Sequence, residues 1–376
     1  MTQKKKPTSD QGNESAAIRT MRLENELLRN KLQRHRTGQE LIAEIVRDVY
    51  MEPPDLWLPK KPAADPRRAA PIEHAVLHVS DTQIGKITSS YNCEIASRRL
   101  MLLAEKTIRI AETRRSYATI DAIHVLLGGD MVEGEDVFPT QAHQIDVGVF
   151  DQAVREAPAA LCRMLLRLAE YFPSVSVSCV PGNHGRNGGK HTRAHPRTNW
   201  DNVCYDVLRL MLESGRVSEF LRGRIKFFAS ETFYAIERVF GWGILMVHGD
   251  QITGGFAGFP WYGASKRAWG WIDSIPAPWD YLMFGHFHTY AEAVLNHRTF
   301  MANGTTESDN DYARASLSAA GFPCQRLSFF TASHGRVSDH QVFLSDERCP
   351  QSAKVYNGQA YSQVQGWRRG VLPNRK

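Results

Sequence analysis

No apolar run approaches the ~20 residues that a membrane span requires, in a chain of 376 residues. A membrane partner is therefore not expected. Disulfide chemistry is just as poorly represented. The six cysteines (Cys93, Cys162, Cys179, Cys204, Cys324 and Cys349) contain no C-x-x-C pair and no framework spacing. They read as buried free thiols in a reducing compartment. The Lys-rich start, Met1 to Asp10, has no apolar segment behind it and does not read as a secretory signal. Internal repeats and long low-complexity tracts are also missing. What remains is a soluble chain long enough for one large domain or two smaller ones.

The net charge of +6 is carried by the ends: +4 on residues 1–70, +5 on residues 351–376, and −3 on the body between them. Basic ends can steer a chain towards nucleic acid, or simply keep it soluble. From Ala16 to Met51 the pattern is helical, with a break at Gly38. Within it Ile18, Met21, Asn25, Leu28, Leu32 and His35 recur at alternating spacings of three and four. This is a short heptad seam with Asn at one apolar position, a device that fixes register in two-stranded coils. It suggests a homodimer through residues 16–36, against the alternative of a helix packed on its own domain. Six prolines in residues 52–71 exclude helix and central strand there and mark a linker. The expected domains are therefore a basic tail and helix (1–51), the linker (52–71), a main domain (72–346) and a basic tail (347–376).

Within the main domain five apolar runs each stop at a polar patch. The runs are Ala75–Leu77, Val125–Leu127, Val175–Val180, Ile244–Val247 and Tyr281–Phe284. The patches are Asp81-Thr82-Gln83, Gly129-Asp130, Gly182-Asn183-His184, His248-Gly249-Asp250 and Gly285-His286-Phe287-His288. Short β-branched runs ending at Gly, Asp or Asn read as buried strands. Ligand sites in open α/β sheets lie outside the carboxyl ends of the strands. Helical spacing over Ala96–Arg115 and Val149–Tyr171 adds α/β layering. The shorter alternating segments Gln325–Thr331 and Gln341–Leu344 predict an antiparallel second sheet. His78 and His124, inside the runs, read as core histidines with satisfied hydrogen bonds. Asp250 reads as a support for its neighbouring His248. Glu133 and Glu135 read as facing solvent.

The five patches, in this order behind strands, resemble the calcineurin-like metallophosphoesterase superfamily over residues 74–290. The resemblance implies an α/β fold in which a two-sheet β-sandwich is flanked by helices, four layers in all (αββα). It also implies two divalent metal ions, Mn first, with Fe, Zn or Mg as alternatives. Such a pair, ~3.5–4 Å apart, clamps a phosphate ester and activates a water for in-line attack. Carried over by position, one metal takes Asp81, Gln83, Asp130 and His288, and the other takes Asp130, Asn183, His248 and His286. Asp130 bridges the two, and His184 protonates the leaving oxygen or stabilises developing charge. Two departures stand out. Gln83 occupies a position where the family usually has His, which implies a first site that is weaker, completed by water, or selective for a harder ion. Gly185 occupies one where many members carry an acid that orients the catalytic His.

The loop from Gly185 to Arg197 is glycine-rich and cationic, so Arg186, Lys190 and Arg193 are candidate phosphate contacts. Trp261 to Trp271 interleaves aromatics with Lys266 and Arg267, a composition that suits base stacking as well as core packing. The whole pattern looks most like the nuclease branch related to the bacterial SbcD-type exonuclease subunit and its phage-borne versions. That implies a DNA nuclease or exonuclease in the cytoplasm of a bacterial or phage-infected cell, with DNA and an ATPase as candidate partners. The alternatives are a phosphatase or small-molecule (cyclic nucleotide) phosphodiesterase, and a non-enzymatic nucleic-acid-binding protein with a degenerate metal site.

Overall fold

The computed structural model describes residues 18–33, 70–137, 141–188, 195, 197–254, 259–308 and 322–345. The chain divides into two compact units, Met1–Ala69 and Ala70–Lys376. In the first unit residues 18–33 form one helix, α1, exposed along its whole length. The heptad seam from Ile18 to Leu32 lies on it, whereas His35, the rest of the predicted helix and all but Ala70 and Pro71 of the predicted linker lie outside the described residues. The same holds for the predicted C-terminal tail.

The second unit begins with β1 (Ile72–Val79), α2 (Cys93–Arg114), β2 (Thr119–Leu127), α3 (Ala157–Tyr171), β3 (Ser174–Cys179) and α4 (Trp200–Glu213). There follow β4 (Ile225–Ala229), β5 (Tyr234–Val239), β6 (Trp242–Val247), α5 (Trp261–Ser274), β7 (Tyr281–Phe284), β8 (Ala291–Leu295), β9 (Arg298–Ala302), β10 (Cys324–Thr331) and β11 (Gly335–Phe343). The strands make two mixed sheets, ordered β11-β10-β1-β2-β3-β4 and β5-β6-β7-β9-β8. Among the described residues no helix is long and apolar enough to cross a membrane.

Period-two alternation sorts the apolar residues into three layers. On β1, Ala75, Leu77 and Val79 pack with α2, α3 and α4 in one cluster. Val76, pointing the other way, meets Leu126, Val180, Ile244, Met246 and Met283 between the sheets. On β6, Leu245 and Val247 pack against Ala264, Ala268 and Trp271 of α5. Burial on both faces is why these strands read as unbroken apolar runs. The result is the helix–sheet–sheet–helix architecture expected from the sequence. Arg326 of β10, fully buried, fastens the layers at one end: it pairs with Asp339 and donates to the carbonyl oxygens of Ala291 (3.0 Å) and Ala302 (3.1 Å).

Two expectations are corrected here. The Gln325–Thr331 and Gln341–Leu344 segments are antiparallel partners, but they extend the first sheet, because β10 pairs with β1. His78 is fully buried with neither ring nitrogen hydrogen-bonded; burial lowers its pKa to about 3, so it stays neutral. His124 is satisfied, by Glu237 at 2.6 Å and His74 at 3.1 Å.

Candidate metal centre

All five patches meet at one end of the sandwich, at the carboxyl ends of β1, β2 and β3 from one sheet and of β6 and β7 from the other. Donor atoms of Asp130, His248 and His286 all lie within 4.8 Å of one another. Nε2 of His248 is 3.0 Å from Asp130 Oδ2 and 3.1 Å from Asn183 Oδ1. On the other side His288 Nε2 is 3.4 Å from Asp81 Oδ1. Gln83 Nε2 is 3.3 Å from Nε2 of both His288 and His184. His184 Nε2 is 3.9 Å from Asp130 Oδ2. The seven expected ligands and His184 are thus brought together.

The backbone is bent to do this. Asp81 (φ 54°), Gln83 (42°), Asp130 (55°), His286 (68°) and His288 (50°) all lie in the left-handed region. Non-glycine residues rarely occupy it, and where they cluster the surrounding structure holds them. The bracing is visible. Asp201, buried in the first turn of α4, accepts the N–H groups of Asp130, Met131, Val132 and Gly182 at 2.8–3.2 Å. Burial lifts its pKa to about 6, even though four donors favour the charged form. The Asp81 loop is tied to Thr305, whose hydroxyl donates to Asp81 O at 2.7 Å, and to Tyr91, whose hydroxyl donates to Thr82 O. Glycines admit the close approaches: a Cβ on Gly285 would stand 2.2 Å from Asp81 Oδ2, and one on Gly182 would stand 2.1 Å from Asp130 Oδ1.

Several residues play parts that the sequence did not reveal. Glu133 does not face solvent: it is 4% exposed, and its carboxylate and carbonyl oxygens are 3.2 and 3.1 Å from His184 Nδ1. It thereby supplies the orienting acid that Gly185 cannot. A side chain at 185 would meet Asn199 Oδ1 at 2.3 Å and Asp201 N at 2.9 Å, so the brace on Asp130 excludes it. Asp250 pairs with Arg186 rather than holding His248. The His248 ring is oriented by Gly128 O, 2.9 Å from Nδ1. Glu307, 2% exposed, lies 2.7 Å from His288 Nδ1 and 2.6 Å from Lys86 Nζ. Lys86 also donates to Gln83 Oε1 at 3.1 Å. Lys190 and Arg193 lie outside the described residues.

The donor set fits a divalent cation. Two donors bound at about 2.1 Å and subtending a right angle sit roughly 3 Å apart, which is the spacing found around His248. Asp130 Oδ2 is buried with no donor in good hydrogen-bonding geometry, its neighbours being the imidazoles of His248 at 3.0 Å and His184 at 3.9 Å, and a cation would satisfy it. The electrostatics agree. Burial disfavours charge on His248 and His288, yet Asp130 raises the first to about 10 and Glu307, with Asp81, raises the second to about 10. Burial likewise opposes ionisation of Asp130, but His248 and His184 hold its pKa well below the carboxylate range. The carboxylates draw protons onto imidazoles because they call for positive charge. A divalent cation supplies that charge and displaces those protons. His286, with a pKa lowered to about 3 by burial and by His248, is already in its ligating form.

Neither the protein-family models nor the curated proteins match this sequence. Among solved structures it is similar to a zinc-complexed Vps29 from Entamoeba histolytica, with 13% identity over 72% of this chain and 99% of that one and a TM-score of 0.31. An archaeal phosphodiesterase shows 10% identity over 72% and 99%, with a TM-score of 0.32. A conserved protein of Streptococcus pneumoniae described as a predicted phosphoesterase shows 10% over 72% and 98%, with a TM-score of 0.27. Likeness of this degree leaves the functional reading to the residues of the centre themselves.

Proposed function

We propose that the protein is a metal-dependent phosphoesterase that hydrolyses phosphodiester bonds, with DNA as its substrate. The observation that carries the reading is the buried Asp130 carboxylate, standing between Asn183, His248 and His286 on one side and Asp81, Gln83 and His288 on the other. A carboxylate so placed can be shared between two cations. A pair of divalent ions, Mn in this reading, would supply Lewis acidity and an activated water. The chain's own residues do the rest. Asn183, His248 and His286 would hold one cation against Asp130, and Asp81 and His288 would hold the other. His184, held by Glu133 at Nδ1, presents Nε2 towards Asp130 and so towards the ester, where it delivers a proton to the leaving oxygen.

Two features support nucleic acid over a small ester. Trp261 and Trp271 of α5 turn inward, but Tyr262 and Trp269 are 70% and 62% exposed, with exposed Lys266 on the same face. Aromatic faces stack unpaired bases while a cation follows the backbone. The helix is joined to the centre: Arg267 donates to Gln251 O at 2.8 Å, three residues past His248. Incubating the full chain and MnCl₂ with single-stranded DNA, bis(4-nitrophenyl) phosphate and 4-nitrophenyl phosphate tests the reading. DNA and the diester are expected to be cleaved. Good monoester turnover with negligible diester turnover would make it a phosphatase instead. Trp269→Ala should raise KM for single-stranded DNA by roughly fivefold or more. An equal rise for the small diester would mean that the helix acts only through the fold.

The partner reading for α1 is a second copy of the chain. Ile18, Met21, Leu28 and Leu32 are 48–64% exposed, and Asn25 interrupts their seam. Glu24 and Arg29 fall at the g and following e positions, which attract one another across a parallel pair. Full-length protein is expected to sediment as a dimer, and protein lacking residues 1–51 as a monomer with unchanged diester turnover. A monomeric full-length chain would exclude the pairing.

A further inference from the structure

The two halves of the centre are not equivalent. On the Asn183 side, Asn183 Oδ1, His248 Nε2 and Asp130 Oδ2 converge, and no lysine or arginine is hydrogen-bonded or ion-paired to any of them among the described residues. On the Asp81 side a fixed ammonium is already present. Lys86 is 9% exposed and its Nζ is held between Glu307 Oε2 at 2.6 Å and Gln83 Oε1 at 3.1 Å. The carbonyl oxygen is the one atom of Gln83 able to ligate a cation, and it is engaged by that ammonium. The Glu307 carboxylate, whose charge would otherwise favour a cation beside His288, is neutralised by the same group. An ammonium buried beside these groups opposes a further positive charge among them.

We propose that Lys86 makes the centre unequal, acting as the residue that sets its cation loading. The Asn183–His248–His286 position retains a divalent ion in the resting protein. The Asp81–His288 position stays weak until a phosphate oxyanion, bridging the centre, adds the negative charge that Lys86 has cancelled. This rests on the phosphoesterase reading, and it adds an order of filling: resident ion, then phosphate together with the second ion. Lys86 is a positioning and specificity residue here, acting on the second cation through Gln83 and Glu307.

Calorimetric titration of MnCl₂ into the full chain, with and without inorganic phosphate, reads this directly as stoichiometry. The wild type should bind one equivalent tightly and a second at least roughly tenfold more weakly, and phosphate should tighten the second step alone. Lys86→Met should bring the two steps together without phosphate. Should that variant fail to fold, Lys86→Gln gives the same reading, because it removes the ammonium and keeps a hydrogen-bond donor for Glu307. Asn183→Ala, which should remove the tight step and leave the weak one, assigns the steps to their positions. Two equal equivalents in the wild type, or a weak step unmoved in a folded Lys86→Met or Lys86→Gln protein, would overturn the proposal. A wild type that binds no Mn under either condition would instead remove the phosphoesterase reading. Two equal ions with intact diester turnover would remove this inference and leave that reading standing.

Discussion

Asp130→Asn is expected to abolish cation binding and turnover together while the fold survives. The amide keeps the size of the carboxylate, and its oxygen can still accept the His184 N–H, now 2.7 Å from Oδ1. The Asp201 brace on the Asp130 backbone is untouched. What changes is the other oxygen. It becomes an NH₂ group, a donor aimed where an electron pair is required, and the buried negative charge is lost. Lewis-acid assistance contributes several kcal/mol to phosphoryl transfer, so kcat should fall by roughly 10³-fold or more. Calorimetry should show no tight Mn step, and circular dichroism should be unchanged. A variant that binds Mn as before and turns over the diester would show that the shared carboxylate is not the hinge of the centre.

His184→Ala should give the second large effect, a fall in kcat of roughly 10²–10⁴-fold, with Mn stoichiometry and affinity intact. The pH profile identifies the role. Burial opposes protonation of His184, but the Glu133 and Asp130 carboxylates outweigh it and raise the pKa above the ordinary histidine value. A proton donor is active in its protonated form, so activity holds below that raised pKa and declines as pH rises past it. Glu133→Gln removes the larger of the raising influences, so the alkaline decline should move to lower pH. Bound cations lower the pKa in both proteins and leave the sign of the difference unchanged. An alkaline limb that stays in place in Glu133→Gln would mean that the carboxylate only fills space.

The strands and the residues they deliver were legible in the sequence because both signals are local. An apolar run buried on both faces cannot be mistaken for a solvated segment, and a motif directly behind it needs no knowledge of the rest of the chain. The supports were illegible for the opposite reason. Asp201 lies 71 residues from Asp130, and Glu307 lies 221 residues from Lys86, each in a stretch without a motif. Glu133 follows a site residue in a polar loop, a context that suggests water. It is buried because Gln141 donates to its carbonyl and Gln152 accepts from the next N–H, folding the loop inward. The placement of β10 failed differently: alternation marks a strand but not its neighbour, and β10, buried at seven of its eight positions, sits between β1 and β11. Gly185, which looked like a lost acid, is instead required by Asn199 and Asp201.

Three of the donors, Asp81, Asp130 and Asn183, follow strands of one sheet, while His248, His286 and His288 follow strands of the other. An ion seated among them would therefore be a rivet through the sandwich as well as a reagent. Whatever strips it out works on the architecture too, unpinning two slabs along the rim where their loops are most contorted, so that catalytic competence and mechanical integrity share one fastening.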